Sequence, residues 1–511
     1  LGATIEGKKM HSLVIRSGLW LNVFIQSGFV DFYSKGGDLS SAERVFDEVV
    51  VKEPVPYNCL ISGYSKSGNV LAARKIFNEM PFRVPASWNT MITCYVHNGN
   101  LVEAVKLFEQ MLEQKFQPNE RTLVTVLSAC AKMGYFEMGL KVKELMDGQK
   151  YRTNLIVRTA LMEMYVKCGA VDEARLEFDQ MDCKDVVAWS AMIAGYAQNG
   201  RSNEALALFE KMKLENCKPN EVTLVSILSA CGQLGSVEAG ERIGNYIESQ
   251  GLASGVYVGS ALVNMYGKCG SIRSARRIFD EMHQKDVVSW NSMIEGLAIN
   301  GFADDAINLY YKMIEENFKP DDITFVGLLT ACTHAGLVDL GLNFFKSMKE
   351  DHAIVPKVEH CSIVVDLLCK SGRLEEAFEF IFQMEVEPNT VILSILLSAC
   401  KAYSNIGLAE KLMKKLVMLD PNNSGHYVSL SSLYADSGRW DEARKVRRLM
   451  ETKNVSKLPA YSWIELDNKT HKFLIEDKSH QRSDDIYSIV DVLSLHLKCA
   501  SHAPTFDLEI V

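Results

Sequence analysis

Hydrophobic residues return along this chain at spacings of three and four, in short blocks separated by Asn, Gly, Asp and Pro. Between residues 101 and 114, Val102, Val105, Leu107, Phe108 and Met111 mark the apolar face of an amphipathic helix. The preceding segment, Trp88-Asn89-Thr90-Met91-Ile92 through Val96, predicts another helix, and Asn98-Gly99-Asn100 predicts the turn joining the two. Phe116-Gln117-Pro118-Asn119 closes the unit, because proline has no N–H with which to continue a helix. A single helix pair cannot bury its apolar face; it must stack on neighbours of its own kind.

The neighbours are present as copies. Trp88, Trp189 and Trp290 stand 101 residues apart, as do the tetrads ending in Cys130, Cys231 and Cys332. Within each block of 101, three helix pairs of 35, 35 and 31 residues follow one another. The pattern predicts an all-α fold: a right-handed α-solenoid superhelix in which each repeat packs on the next. Residues 1–22 read as the second half of a repeat, and residues 23–389 as the array proper. Its members are 23–53, 54–84, 85–119, 120–154, 155–185, 186–220, 221–255, 256–286, 287–321, 322–357 and 358–389. Two helix pairs of altered consensus occupy 390–458. Asp420-Pro421-Asn422-Asn423 and Tyr434-Ala435…Gly438-Arg439-Trp440 give them a tetratricopeptide look. From Pro459 the periodicity fails, and 459–511 is expected to hold a short hairpin (461–466 and 471–475 around Asp467-Asn468-Lys469) and one helix near 485–498.

Composition changes this picture little. The chain of 511 residues is 47% hydrophobic and 23% charged, enough for a continuous core. No apolar run approaches the roughly 18 residues that span a bilayer, so no membrane insertion is expected. The net charge of −9 does not advertise a nucleic-acid partner, although a basic face can hide within an acidic total. The thirteen cysteines form no Cys-x-x-Cys and recur at fixed repeat positions, as small buried hydrophobes do. The sequence starts at Leu1 without an initiator Met, so a targeting peptide is expected to lie outside it.

The alternation of 35, 35 and 31 residues is specific. Trp-Asn or Trp-Ser stands in the first repeat of each triplet, and Met-Tyr-x-Lys-Cys-Gly in the third, at Met164–Gly169 and Met265–Gly270. In these features the chain resembles plant pentatricopeptide-repeat proteins of the PLS class. Residues 390–458 resemble their E domain. Trp463-Ile464-Glu465, His471-Lys472-Phe473 and Lys478-Ser479-His480 resemble the extension that follows it. The resemblance implies recognition of single-stranded RNA, one base per repeat, by the fifth and last residues of each repeat.

Those positions carry suitable chemistry. Asn offers a donor and an acceptor, whereas Ser or Thr leaves room for a purine. Asp in the last position only accepts, which favours G or U; Asn there can donate to A or C. By resemblance, Asn89 with Asn119 implies C, or U less well, Thr159 with Asp185 G, Ser190 with Asn220 A, Ser260 with Asp286 G, Asn291 with Asp321 U, and Ser362 with Asn389 A. Asn58 is followed by Val84 and keeps only a pyrimidine preference; Ser27 with Glu53 departs from the code. Val124, Val225 and Val326 cannot hydrogen-bond a base edge and are expected to space the others. With RNA running parallel to the chain the implied site is 5′-Y-C-n-G-A-n-G-U-n-A-3′. The second residues, including Ile156, Val187, Tyr257 and Val288, are expected to wedge between bases. A lone Asn or Ser on a helix ordinarily serves a local polar need; joint recurrence at one repeat position separates these from that case.

Proteins of this class often end in a deaminase-like DYW domain, which needs His-x-Glu and Cys-x-x-Cys around zinc. None of the eleven histidines is followed two places later by Glu, and no two cysteines lie three apart. His471 and His480 read as surface residues. The expectation is therefore of no enzyme, no metal and no cofactor. The implied protein is a monomeric site-recognition factor for C-to-U editing in a plant organelle, the mitochondrion or alternatively the plastid. A DYW-type deaminase or other editing-complex proteins would act in trans, on a C four nucleotides 3′ of the base held by Ser362 and Asn389. The alternatives are a splicing, processing or stabilisation factor for organelle RNA, and, from another class, a tetratricopeptide-type protein scaffold.

Overall fold

The computed structural model describes residues 2–49, 53–147, 154–251, 255–384, 386–453, 455, 461–466, 469–474 and 482–501. Among them are 28 α-helices, one 3-10 turn and one two-stranded hairpin. The chain is an α-solenoid: from Val23 to Thr452 the helices alternate as first and second members of pairs. In the repeat 85–119 the pair is Pro85–His97 and Leu101–Glu113, close to the bounds that the apolar spacing predicts. Two units are distinguished, Leu1–Ala335 and Gly336–Val511, and each is built of such stacked pairs.

The recurring residues explain the stacking. Trp88, Trp189 and Trp290 are almost completely buried, each at the start of a first helix. Each meets edge-to-face the phenylalanine of the preceding second helix: Phe77 at 5.3 Å, Phe178 at 4.9 Å and Phe279 at 5.0 Å. Such pairs contribute beyond simple area burial. The turn asparagine ties one repeat to the previous one. Asn98 Nδ2 donates to the carbonyls of Ser65 (3.1 Å) and Cys94 (2.8 Å), and Asn300 Nδ2 to those of Gly267 and Gly296 (both 2.8 Å). At one place the first helices approach too closely for any side chain. A Cβ on Gly267 would stand 2.9 Å from Cα of Gly296.

Most of the cysteines pack as expected, whereas Cys183 is exposed and Cys59, Cys168 and Cys217 are only half-buried. Cys130, Cys231, Cys332 and Cys400 are fully buried in first helices. Burial pushes the thiols of Cys130, Cys231 and Cys400 up to about 12, so they stay protonated and inert near neutrality.

Three expectations need correction. Val102 is exposed and is not part of the apolar face of its helix. Each residue advances about 100° around a helix, which places Val102 opposite the buried stripe of Ala104, Leu107, Phe108 and Met111. The second strand, paired antiparallel with Tyr461–Leu466, is Lys469–Leu474, beginning two residues earlier and ending one residue earlier than the apolar pattern suggests. The final helix is longer than its apolar core, running Ser483–Ser501. Asp467-Asn468, Lys478-Ser479-His480 and the last ten residues lie outside the described residues. No helix among the described residues is long and apolar enough to cross a membrane.

Candidate nucleic-acid interface

The last residue of a repeat is also the residue that starts the next first helix. Asn119, Asp185, Asn220, Asp286 and Asn389 are N-caps whose Oδ1 accepts a backbone N–H of the first turn, at 2.9–3.0 Å: Thr122 (2.9 Å), Ala188 (2.9 Å), Thr223 (2.9 Å), Ser289 (2.9 Å) and Ile392 (3.0 Å). Asp321 serves Thr324 in the same way at 2.9 Å. A cap of this kind stabilises a helix by about 1 kcal/mol, so these residues would be useful to the fold whatever else they do.

The fifth residue of the preceding repeat comes to the same place. Asn89, Thr159, Ser190, Ser260 and Asn291 are all buried on their first helices. Asn89 Nδ2 donates to Asn119 Oδ1 at 2.9 Å, and Asn291 Nδ2 to Asp321 Oδ1 at 2.8 Å. Ser190 Oγ reaches Asn220 Oδ1 at 3.1 Å, and Ser260 Oγ lies 3.5 Å from Asp286 Oδ1. A third group completes the cluster. Thr122 Oγ1 donates to Asn89 Oδ1, Thr324 Oγ1 to Asn291 Oδ1 (2.6 Å), and Thr223 and Ser289 meet Ser190 and Ser260 (2.6 and 2.8 Å).

This geometry fixes which atom remains for a ligand. Oδ1 of the last residue is occupied by the cap and by a second donor, the fifth-residue amide at Asn119 and Asp321 and the Thr223 or Ser289 hydroxyl at Asn220 and Asp286, so the amide cannot turn over without setting Nδ2 against the helix N–H. Asn119 and Asn220 therefore present Nδ2, a donor, whereas Asp286 and Asp321 present Oδ2, an acceptor. The opposite chemistry of Asn and Asp at one position is enforced by the helix start itself.

The remaining members are less complete. Thr159 with Asp185, and Ser362 with Asn389, hold the same repeat positions without a direct bond between them. Ser362 Oγ donates to the Val358 carbonyl at 2.8 Å, as Ser190 and Ser260 donate to Val186 and Val256 (2.6 and 2.8 Å). Asn58 Oδ1 is buried and has no hydrogen-bond partner, and Val84 offers nothing polar at the cap position. Val124, Val225 and Val326 stand half-buried at the fifth position, where they make no polar bond.

The second residues form an apolar row. Ile156, Val187, Tyr257 and Val288 are 51–69% exposed although hydrophobic, which sets them apart from the core. Phe24, Val55, Val222, Ile323 and Val391 occupy the same repeat position and are likewise exposed, Phe24 most of all. The sequence singled out only the first four; carrying the second position through every repeat would have found the rest. Sequence reading also missed a set of lysines. Lys66, Lys167, Lys268 and Lys370 end their first helices, and Lys132 stands one residue from the end of its own. A cation there complements the helix C-terminus. Yet Lys66, Lys132, Lys167 and Lys370 also line cavities with the second, fifth and last residues. One of about 700 Å³ includes Lys132, Lys167, Val187, Ser190 and Asn220, and one of about 440 Å³ includes Lys66, Asn89, Asn119 and Arg121. Lys167 and Lys268 are the lysines inside Met-Tyr-x-Lys-Cys-Gly, so for these two the signal was present. No group of three or more His, Cys, Asp or Glu among the described residues is placed to hold a metal ion.

Comparison with known proteins agrees with this architecture. Residues 85–132, 184–233 and 285–334 match the PPR repeat family, and 55–83, 121–150, 260–287, 323–352 and 359–387 match the PPR repeat. Residues 403–465 match the E motif. A chloroplastic pentatricopeptide repeat-containing protein of Arabidopsis thaliana is 44% identical over 501 residues, covering 98% of this chain and 68% of the relative. A putative mitochondrial one from the same plant is 36% identical over 495 residues, covering 96% and 74%. The crystal structure of the pentatricopeptide repeat protein PPR10 from maize superposes with a TM-score of 0.62 at 20% identity, over 85% of this chain and 64% of that one. Period, caps and matched families agree: the chain belongs to the pentatricopeptide-repeat family, with an E motif after its repeats.

Proposed function

We propose that the face formed by the first helices reads single-stranded RNA of a plant organelle, one base for each polar fifth-and-last pair. The observation that carries this reading is the cap-locked pair. At Asn89/Asn119 and Asn291/Asp321 a part-buried amide bond orients one donor or acceptor outward, and at Ser190/Asn220 and Ser260/Asp286 the hydroxyls of Thr223 and Ser289 hold the cap oxygen in the same way. Bases would stack on the exposed second residues, and lysine ammonium groups would meet phosphates. The order of pairs spells 5′-Y-C-n-G-A-n-G-U-n-A-3′, with the valine repeats as spacers.

Recognition of this kind serves a site-specific factor. Membership of the family and the E motif favour C-to-U editing, in which a DYW-type deaminase or other editing-complex proteins act in trans on a C four nucleotides 3′ of the base at Ser362/Asn389. The chloroplastic and mitochondrial names of relatives favour an organelle, with the mitochondrion proposed and the plastid its alternative. The protein would bind as a monomer. The test is a gel-shift titration at stated salt with the decoded RNA and with a second RNA in which the bases facing Thr159/Asp185 and Ser190/Asn220 are exchanged. Tight binding that is lost on exchange is expected. Equal, weak binding to both would remove the RNA reading and bring a protein scaffold forward. Specific binding by a plant whose C-to-U conversion survives loss of the protein would leave RNA processing or splicing in place of editing.

A further inference from the structure

We propose that the helix pair 390–423, which precedes and enters the E motif, holds one further RNA base, an adenine, immediately 3′ of the base at Ser362/Asn389. The inference rests on the RNA reading above but adds a site to it. The matched repeats end at residue 387 and the E motif starts at 403, so the helix Thr390–Ala402 falls between them.

The site repeats the residue positions of the others, without a direct bond between Ser394 and Asn423. A cavity of about 740 Å³ lies against this helix, lined by Asp366, Lys370, Val391, Ser394 and Asn423 among others. Each has its counterpart in the cavity of about 700 Å³ around the Ser190/Asn220 pair: Glu163, Lys167, Val187, Ser190 and Asn220. Val391, at the second position, is 57% exposed, against 51% for Val187. Ser394, at the fifth, donates Oγ to the Thr390 carbonyl at 2.6 Å, as Ser190 does to Val186 at 2.6 Å. Asn423, at the last, is the N-cap of Ser424–Asp436, with Oδ1 accepting from Gly425 N at 3.0 Å. Lys370 Nζ stands 2.8 Å from Asp366 Oδ2 at the edge of the cavity.

The cap again selects the outward atom. With Oδ1 held, Asn423 turns Nδ2 away from the helix. One of its hydrogens goes to Asp420 Oδ2 at 3.2 Å, leaving the other for a ring nitrogen. Serine opposite leaves room for a purine, and a donor toward the ring nitrogen selects adenine over guanine, whose N1 itself carries hydrogen. A peptide-docking helix pair has no need of this set of second, fifth and last residues around a lysine.

The test uses the full chain and RNAs of eleven decoded bases that differ only in the last, A, G, C or U. Adenine is expected to bind more tightly than the others by about fivefold or more, the order expected for one misread base. Asn423→Asp keeps a capping oxygen and is expected to move the preference to G. Ser394→Asn with Asn423→Asp is expected to move it to U, as at Asn291/Asp321. If changing the eleventh base has no effect while changing the base at Ser190/Asn220 weakens binding, this proposal is overturned and the RNA reading stands. If neither change matters, the RNA reading itself fails.

Discussion

At the scale of single residues, one side chain does two jobs in this protein. Asn220 starts a helix through Oδ1 and would read a base through Nδ2, and the first task fixes the second. Asparagine and aspartate are about equally good caps, so exchanging them leaves the helix start intact while reversing the outward atom from donor to acceptor. Asn220→Asp is therefore expected to fold and melt like the parent. It should prefer RNA with G at the corresponding position over RNA with A, by about fivefold or more. Competition titrations with the two RNAs measure this. An unchanged preference for A would mean that the outward atom is not what the base meets. The coding positions were legible in the sequence because they recur, but the reason they work was not. It depends on which residue starts a helix, and a shift of one residue in that boundary would give the cap to a neighbour.

At the scale of the helix, what matters is how near the next repeat comes. Glycine inside a helix ordinarily costs up to about 1 kcal/mol relative to alanine, so two glycines of the same array should respond to alanine with opposite signs. Gly28, in the helix Val23–Lys35, has open space where a Cβ would go. Gly28→Ala should be neutral or stabilising by a few tenths of a kcal/mol. Gly267 meets Cα of Gly296 in the adjacent first helix. Backbone cannot move aside as a side chain can, so Gly267→Ala should destabilise by about 1–3 kcal/mol. Because repeats couple only to neighbours, that loss should separate melting of the repeats before and after residue 286. Urea melts of both variants decide it; a Gly267→Ala protein as stable as the parent would refute the close approach. The period, the turns and most helix bounds were legible because they are local. The exposure of Val102 and the need for Gly267 were not, since a helix's buried side is decided by residues about 30 positions away.

At the scale of the whole molecule, a net charge of −9 must be reconciled with a polyanionic ligand. The total says little, because screening beyond about 10 Å lets distant carboxylates be ignored while cations at the contact count individually. The lysines at the ends of first helices are spaced by the repeat, and so would be the phosphates of a strand bound one base per repeat. Affinity should then fall with salt, with a slope in log–log form of about −0.7 for each phosphate neutralised on a single strand. Replacing Lys132 and Lys167 together by glutamine should weaken binding to decoded and exchanged RNAs by the same factor. It should also make the slope shallower by about 1.4, twice the single-contact value. Discrimination between bases should survive, because the second, fifth and last residues are untouched. Titrations at four salt concentrations separate the outcomes. A slope equal to the parent's would show that these lysines serve only the helix ends. A loss of discrimination with an unchanged slope would show instead that they orient the bases.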